Sequence, residues 1–157
     1  MDYKDKLLKY AVYYLSRYSS SKKNLEYILK KKIRRLTEEK KVRYELYQEI
    51  NHIINKLEQL KLLNDEVFTE SKINSLLIQA RSKNYIKQYL IRKGVNNKVV
   101  NDQISDFYKK NLNLEKENAL KFAKKKNLLN NKENYEKKLS KMARAGFSYE
   151  IAKEILK

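Results

Sequence analysis

The chain has 157 residues, no cysteine, no proline, two glycines and a formal net charge of +18. Without cysteine it can form neither disulfides nor thiolate metal sites, which fits a reducing compartment. No apolar run approaches the ~18 residues that span a bilayer, and the charged opening from Met1 to Lys6 is unlike a secretory signal, so a soluble cytoplasmic protein is expected.

Apolar residues make up 41% of the chain and recur at helical spacing almost throughout, so the expected fold is all-α. Charged residues, at 36%, leave only a thin core, which suits stacked repeats that each bury one stripe against a neighbour. Residues 1–35 carry 11 basic and 3 acidic side chains, residues 36–108 carry 12 and 10, and residues 109–157 carry 14 and 6, so positive charge gathers towards both ends. A field of that sign attracts phosphate backbones and acidic surfaces. A chain rich in Lys, Asn, Ile and Tyr also arises from AT-rich coding, so charge alone assigns no partner.

Leu7, Leu8, Ala11, Tyr14 and Leu15 predict a first helix over Lys4–Tyr18. Ser19, Ser20 and Ser21 break it, and one of them should cap a second helix carrying Leu25, Ile28, Leu29 and Ile33. Thr37 with Glu38 and Glu39 reads as a fresh N-terminus, opening a long helix from Val42 to about Leu62. His52 lies in it with no second histidine or cysteine to share a metal, and reads as a surface side chain. Asn64-Asp65 should cap the next helix, which turns Phe68, Ile73, Leu76, Leu77 and Ala80 inward.

Ser82 to Ile104 then shows two short helices, with Gly94 as a stop and Asn96 as a cap. Asn111 and Asn113 mark a short join to the helix of Leu114, Ala119, Leu120, Phe122 and Ala123, which ends in Lys124-Lys125-Lys126. Asn130 and Asn131 should introduce the helix of Tyr135, Leu139 and Met142, and Ser148 the last one.

The two glycines share their surroundings. Met142 lies four residues before Gly146 as Leu90 does before Gly94, and Phe147, Ser148 and Ile151 take the places of Val95, Asn96 and Val99. A weaker copy lacking glycine aligns Ser21 with Ser82, Leu25 with Ile86 and Leu29 with Leu90. The pattern predicts three tandem three-helix repeats over 1–62, 63–110 and 111–157, forming an elongated curved array.

Several stretches resemble the RecX family of recombination regulators, in family order and over nearly the whole chain. They are Ala11 to Ser19, Leu60 to Phe68 with its Asp65, Lys93-Gly94-Val95, and Arg144-Ala145-Gly146-Phe147-Ser148. The chain departs from the family pattern at Tyr18 and Ala145, where arginines are usual, at Asn24 in place of a glutamate, and at Thr69 in place of an alanine. The resemblance implies a non-enzymatic modulator of the RecA recombinase. Such proteins bind the RecA filament on single-stranded DNA within its groove, inhibit ATP hydrolysis and strand exchange, and act in DNA repair, homologous recombination and the SOS response. It implies no cofactor and a monomer, with RecA, single-stranded DNA and double-stranded DNA as partners and no membrane.

The cations from which contacts would be drawn are Arg17, Lys22, Lys23, Lys31, Lys32, Arg34, Arg35, Arg81, Lys83, Arg92, Lys93, Lys124, Lys125, Lys141 and Arg144. Among the thirteen tyrosines, Tyr14, Tyr89 and Tyr135 lie on apolar stripes and read as core. Tyr18, Tyr85 and Tyr149 stand near helix ends beside cations and could stack on bases. Nothing resembles a catalytic constellation: Glu38 with Glu39 and Asp65 with Glu66 read as first-turn charges. Two alternatives remain, a helix-turn-helix DNA-binding regulator built on Tyr85–Ile104 and a helical adaptor for an acidic protein.

Overall fold

The computed structural model describes residues 2–130 and 132–157. Among them there are nine helices and no strand: α1 (Tyr3–Arg17), α2 (Lys22–Leu36), α3 (Lys40–Gln59), α4 (Asp65–Ile78), α5 (Lys83–Arg92), α6 (Asn97–Lys110), α7 (Leu114–Lys125), α8 (Tyr135–Arg144) and α9 (Tyr149–Ile155). The all-α expectation holds. The chain forms two compact units, one running to Phe68 and including Lys93–Val95, the other holding Thr69–Arg92 and Asn96–Lys157.

In the first unit α1, α2 and α3 pack on one another. Their apolar stripes converge on Leu7, Ala11, Leu25, Leu29, Ile33, Leu46 and Leu57, all but fully buried. In the second unit α5 packs on α6, and α9 lies against both α7 and α8. Ala119, Ala123, Leu128, Met142, Phe147 and Ala152 make up a small core there, with the rings of Phe122 and Phe147 5.5 Å apart. Small residues on α7 let its partners approach closely, which suits a chain with so little apolar material.

Most helix starts follow from local chemistry. The side chains of Ser21, Ser82, Asn96 and Ser148 each accept a first-turn backbone N–H, and Asn64 Oδ1 accepts from Glu66 and Val67. Two starts differ from the sequence reading. Helix α3 begins at Lys40, because Thr37 caps the C-terminus of α2 and its hydroxyl accepts from Glu39 N–H, closing a local turn first. Helix α8 is capped by Asn134, whose Oδ1 accepts from Glu136 N–H at 2.8 Å, rather than by Asn130; Asn131 lies outside the described residues.

The helix ends were less legible. Gly94 and Gly146 do take left-handed φ values, +76° and +93°, but Lys61, Ala80 and Asn127 do so as well, at +57°, +60° and +55°. After each of these three, the next N–H reaches back five residues: Leu62 to Leu57, Arg81 to Leu76 and Leu128 to Ala123, at 2.8–3.0 Å. Phe147 does the same to Met142 after Gly146. These are Schellman closures that satisfy the last carbonyls of α3, α4, α7 and α8.

One joint recurs, once in each unit. In the first, the hydroxyl of Ser21 accepts from Asn24 N–H at 3.1 Å and donates to the carbonyl of Lys93, next to Gly94. Asp65 Oδ1 accepts from Lys22 N–H at 2.8 Å. In the second, Ser82 accepts from Tyr85 N–H at 3.0 Å and donates to the carbonyl of Ala145, next to Gly146, at 2.7 Å. Here Glu115 takes the place of Asp65, both its oxygens receiving Lys83 N–H at 3.0–3.1 Å. Each joint thus supplies acceptors for a helix start and uses a buried serine hydroxyl both as donor and as acceptor.

The acid of the second joint is half-buried. Burial pushes the Glu115 carboxyl above its ordinary value, against the opposing bonds from Lys83 N–H and the Tyr108 hydroxyl. A raised carboxyl means the folded chain holds a proton that the unfolded chain has lost, so Glu115 contributes most below the ordinary carboxylate range and less as pH rises through the folded value. The stability of the parent chain relative to Glu115→Gln is therefore expected to fall as pH rises from the ordinary carboxylate range through the folded value. Urea midpoints of both proteins across that range check this, and a constant difference contradicts it.

Candidate nucleic-acid interface

In the first unit the basic candidates fall into two kinds. Lys22 and Lys23 belong to the joint: Lys22 Nζ pairs with Glu58 at 2.5 Å, a hydrogen bond that raises its pKa, and the stem of Lys23 lies over Gly94. Lys93 contributes its carbonyl to the same joint. The other kind faces outward. Arg34 and Arg35 are exposed in the last turn of α2, where they also favour the negative end of the helix.

Beside them Lys31 lies over the ring of exposed Tyr27 at 5.3 Å and Lys32 over Tyr10 at 4.6 Å. Arg17 covers exposed Tyr13 at 5.5 Å. Cations resting on rings are partly desolvated and held in place, so they lose less side-chain freedom when an anion approaches. Tyr13 and Tyr27 were missed as ring partners. Their signal was the spacing of Tyr13 to Arg17 and Tyr27 to Lys31, one helical turn apart.

In the second unit Arg81, Lys141 and Arg144 line one cavity of about 400 Å³, together with Phe122, Lys126 and Ala145. Arg81 is placed there by the Schellman turn that ends α4, and its carbonyl accepts from the buried amide of Asn118. Its guanidinium lies 4.4 Å from the Tyr85 ring centroid, and its Nε is buried with no hydrogen-bond partner. Lys141 Nζ pairs with Glu133 at 2.8 Å. Phe122 and Lys126 were not among the candidates, although their i, i+4 spacing on α7 puts them on one face.

The remaining candidates stand outside this cavity's lining. Lys124 and Lys125 are exposed at the end of α7, Lys83 lies 5.0 Å from the Tyr108 ring centroid, and Arg92 is exposed at the end of α5.

Of the tyrosines read as core, Tyr14 and Tyr89 are half-buried, but Tyr135 is 44% exposed because it opens α8 ahead of the stripe carried by Leu139 and Met142. Tyr18 and Tyr149 are exposed, whereas Tyr85 is half-buried beneath Arg81. His52 is exposed, and among the described residues no group of three His, Cys, Asp or Glu side chains could hold a metal ion. No described helix is long and apolar enough to cross a membrane.

Fold and surface together define a class: an all-helical protein with strongly cationic faces, several of whose cations rest on tyrosine rings. No family model matches the chain. Regulatory protein RecX of Myxococcus xanthus is 32% identical over 155 residues, covering 93% of this chain and 81% of that protein. Regulatory protein RecX of Clostridioides difficile is 33% identical over 128 residues, which cover 75% of this chain and 59% of that longer relative. Crystal structures lie close as well. RecX from Lactobacillus salivarius superimposes with a TM-score of 0.69 over 98% of this chain and 94% of that one, at 28% identity. A second crystal structure, of regulatory protein RecX, gives the same TM-score at 19% identity and speaks for the fold alone. The chain belongs to the RecX family of regulatory proteins.

Proposed function

We propose that this protein is a negative modulator of the RecA recombinase, which binds the RecA filament on single-stranded DNA within its groove and inhibits ATP hydrolysis and strand exchange. The observation that carries the reading is the match to regulatory protein RecX across 93% of the chain. The charge of +18 supports it, since a nucleoprotein filament presents phosphates at regular intervals. The protein acts by binding rather than by catalysis, as a cytoplasmic monomer, with double-stranded DNA as a further partner.

The repeated serine–acid–glycine joint supports three tandem repeats over 1–62, 63–110 and 111–157. A chain of linked repeats can touch several protomers at once, so that weak contacts multiply through effective concentration. The pool for those contacts is the set of candidate cations from Arg17 to Arg144, with the outward-facing ones ahead of those committed to joints.

Strand exchange between a circular single strand and a linear duplex tests the reading. Added protein should suppress RecA-dependent joint-molecule formation. Affinity for bare single strands should fall ~10³–10⁵-fold between about 50 and 200 mM salt if six to ten phosphates are neutralised. Preference for one duplex sequence would instead favour the helix-turn-helix reading, and absence of DNA affinity the adaptor.

A further inference from the structure

The cavity lined from α7, α8 and the end of α4 has features that plain surface solvation does not produce. Four cations, Arg81, Lys126, Lys141 and Arg144, line about 400 Å³ together with an aromatic ring, and no carboxylate is in the lining. Like charges gathered around a concavity repel one another, so the arrangement carries a standing electrostatic cost that an anion would relieve. One of the four, Lys141, is neutralised by Glu133 at 2.8 Å, which leaves three. Arg81 is held in place from two directions, through its carbonyl by Asn118 and through its guanidinium by the Tyr85 ring, and its buried Nε has no hydrogen-bond partner.

The volume matches a ligand of nucleotide size rather than a bare ion. The lining also joins two chemistries that a nucleotide needs together: guanidinium and ammonium groups for a phosphate, and an aromatic ring for a planar base. A glutamate or aspartate side chain would use the first and leave Phe122 idle.

We propose that this cavity seats one nucleotide of a single strand, with the base against Phe122 and the phosphate among Arg81, Lys126 and Arg144. The inference rests on the strand-binding part of the proposed function and gives it a particular seat. It requires nothing of the recombinase.

The test is anisotropy of a labelled oligo(dT) with the full chain and no recombinase present. Lys126→Gln with Arg144→Gln changes two exposed side chains of the second unit and should leave the fold intact. The double variant is expected to bind about 10-fold more weakly, with a salt slope flatter by up to roughly 0.7, the share of the one single-strand phosphate held there. Phe122→Leu should cost about 5-fold or more, the size of one base–aromatic stack. An abasic strand of equal length should be bound equally by Phe122→Leu and the parent chain.

Parental affinity and slope in the double variant would overturn the proposal. So would a Phe122→Leu protein, folded by circular dichroism, that loses the abasic strand as much as oligo(dT). Competition by polyglutamate that the double variant abolishes, with oligo(dT) binding untouched, would assign the cavity to an acidic peptide. If Phe122→Leu fails to fold, because its ring packs on Phe147, the double variant decides. A parent chain that binds oligo(dT) through this seat yet leaves RecA unaffected would remove the filament reading and keep the seat.

Discussion

Gly94→Ala and Gly146→Ala are each expected to lower stability by about 2–4 kcal/mol, the sum of a left-handed backbone and an overpacked site. Backbone conformation alone does not produce that figure, since Ala80 occupies φ +60° in the native chain. The surroundings make the difference. A Cβ on Gly94 would run into the Cβ and Cγ of Lys23, whose stem is fixed by its place in the first turn of α2. A Cβ on Gly146 would meet Ser82 Oγ, which already accepts from Tyr85 N–H and donates to the Ala145 carbonyl. Either methyl must displace a joint as well as strain a turn. Urea unfolding checks this, and midpoints within experimental scatter of the parent would show that the joints do not hold these turns.

Replacing Lys31, Lys32, Arg34 and Arg35 by alanine should weaken single-strand binding by 10-fold or more and flatten its salt slope by up to roughly 3, at about 0.7 for each phosphate that is no longer neutralised. The cost to the fold is smaller, because Lys31, Arg34 and Arg35 are exposed and cations at a helix C-terminus stabilise it by about 0.3–1 kcal/mol. Lys32 is half-buried over Tyr10, so circular dichroism should accompany the titrations. Replacing Lys22 alone is the useful contrast. Its charge is paired with Glu58, so the loss should appear in stability rather than in the salt slope. An unchanged slope in the fourfold variant would place the strand elsewhere on the molecule.

What the sequence made legible was local. Ser21, Asn64, Asn96 and Ser148 were readable as caps because each side chain satisfies backbone within three residues of itself. The same locality misled at Thr37, which serves a turn after α2 rather than the start of α3. Helix ends at Lys61, Ala80 and Asn127 carried no glycine to announce them, and the backward bonds that hold their left-handed turns leave no trace in composition.

The joints were out of reach for another reason. Ser21 and the carbonyl of Lys93 are 72 positions apart, and Ser82 and that of Ala145 are 63, so Ser21 read only as one of three candidate caps and Ser82 only as its repeat counterpart. The candidate interface divided along the same line. That the chain is cationic, and that Arg34 and Arg35 crowd one helix end, could be counted from residues. That Lys22 is committed to Glu58, or that Arg81 meets Lys126 and Arg144 around Phe122, depends on which helices pack together.

The most direct measurement is ATP hydrolysis by RecA on single-stranded DNA while this protein is titrated in. Falling hydrolysis, already clear below one chain per recombinase protomer, is the result a filament-bound modulator must give. Hydrolysis that holds its rate at excess protein, under salt conditions where the chain demonstrably binds single strands, would contradict the account.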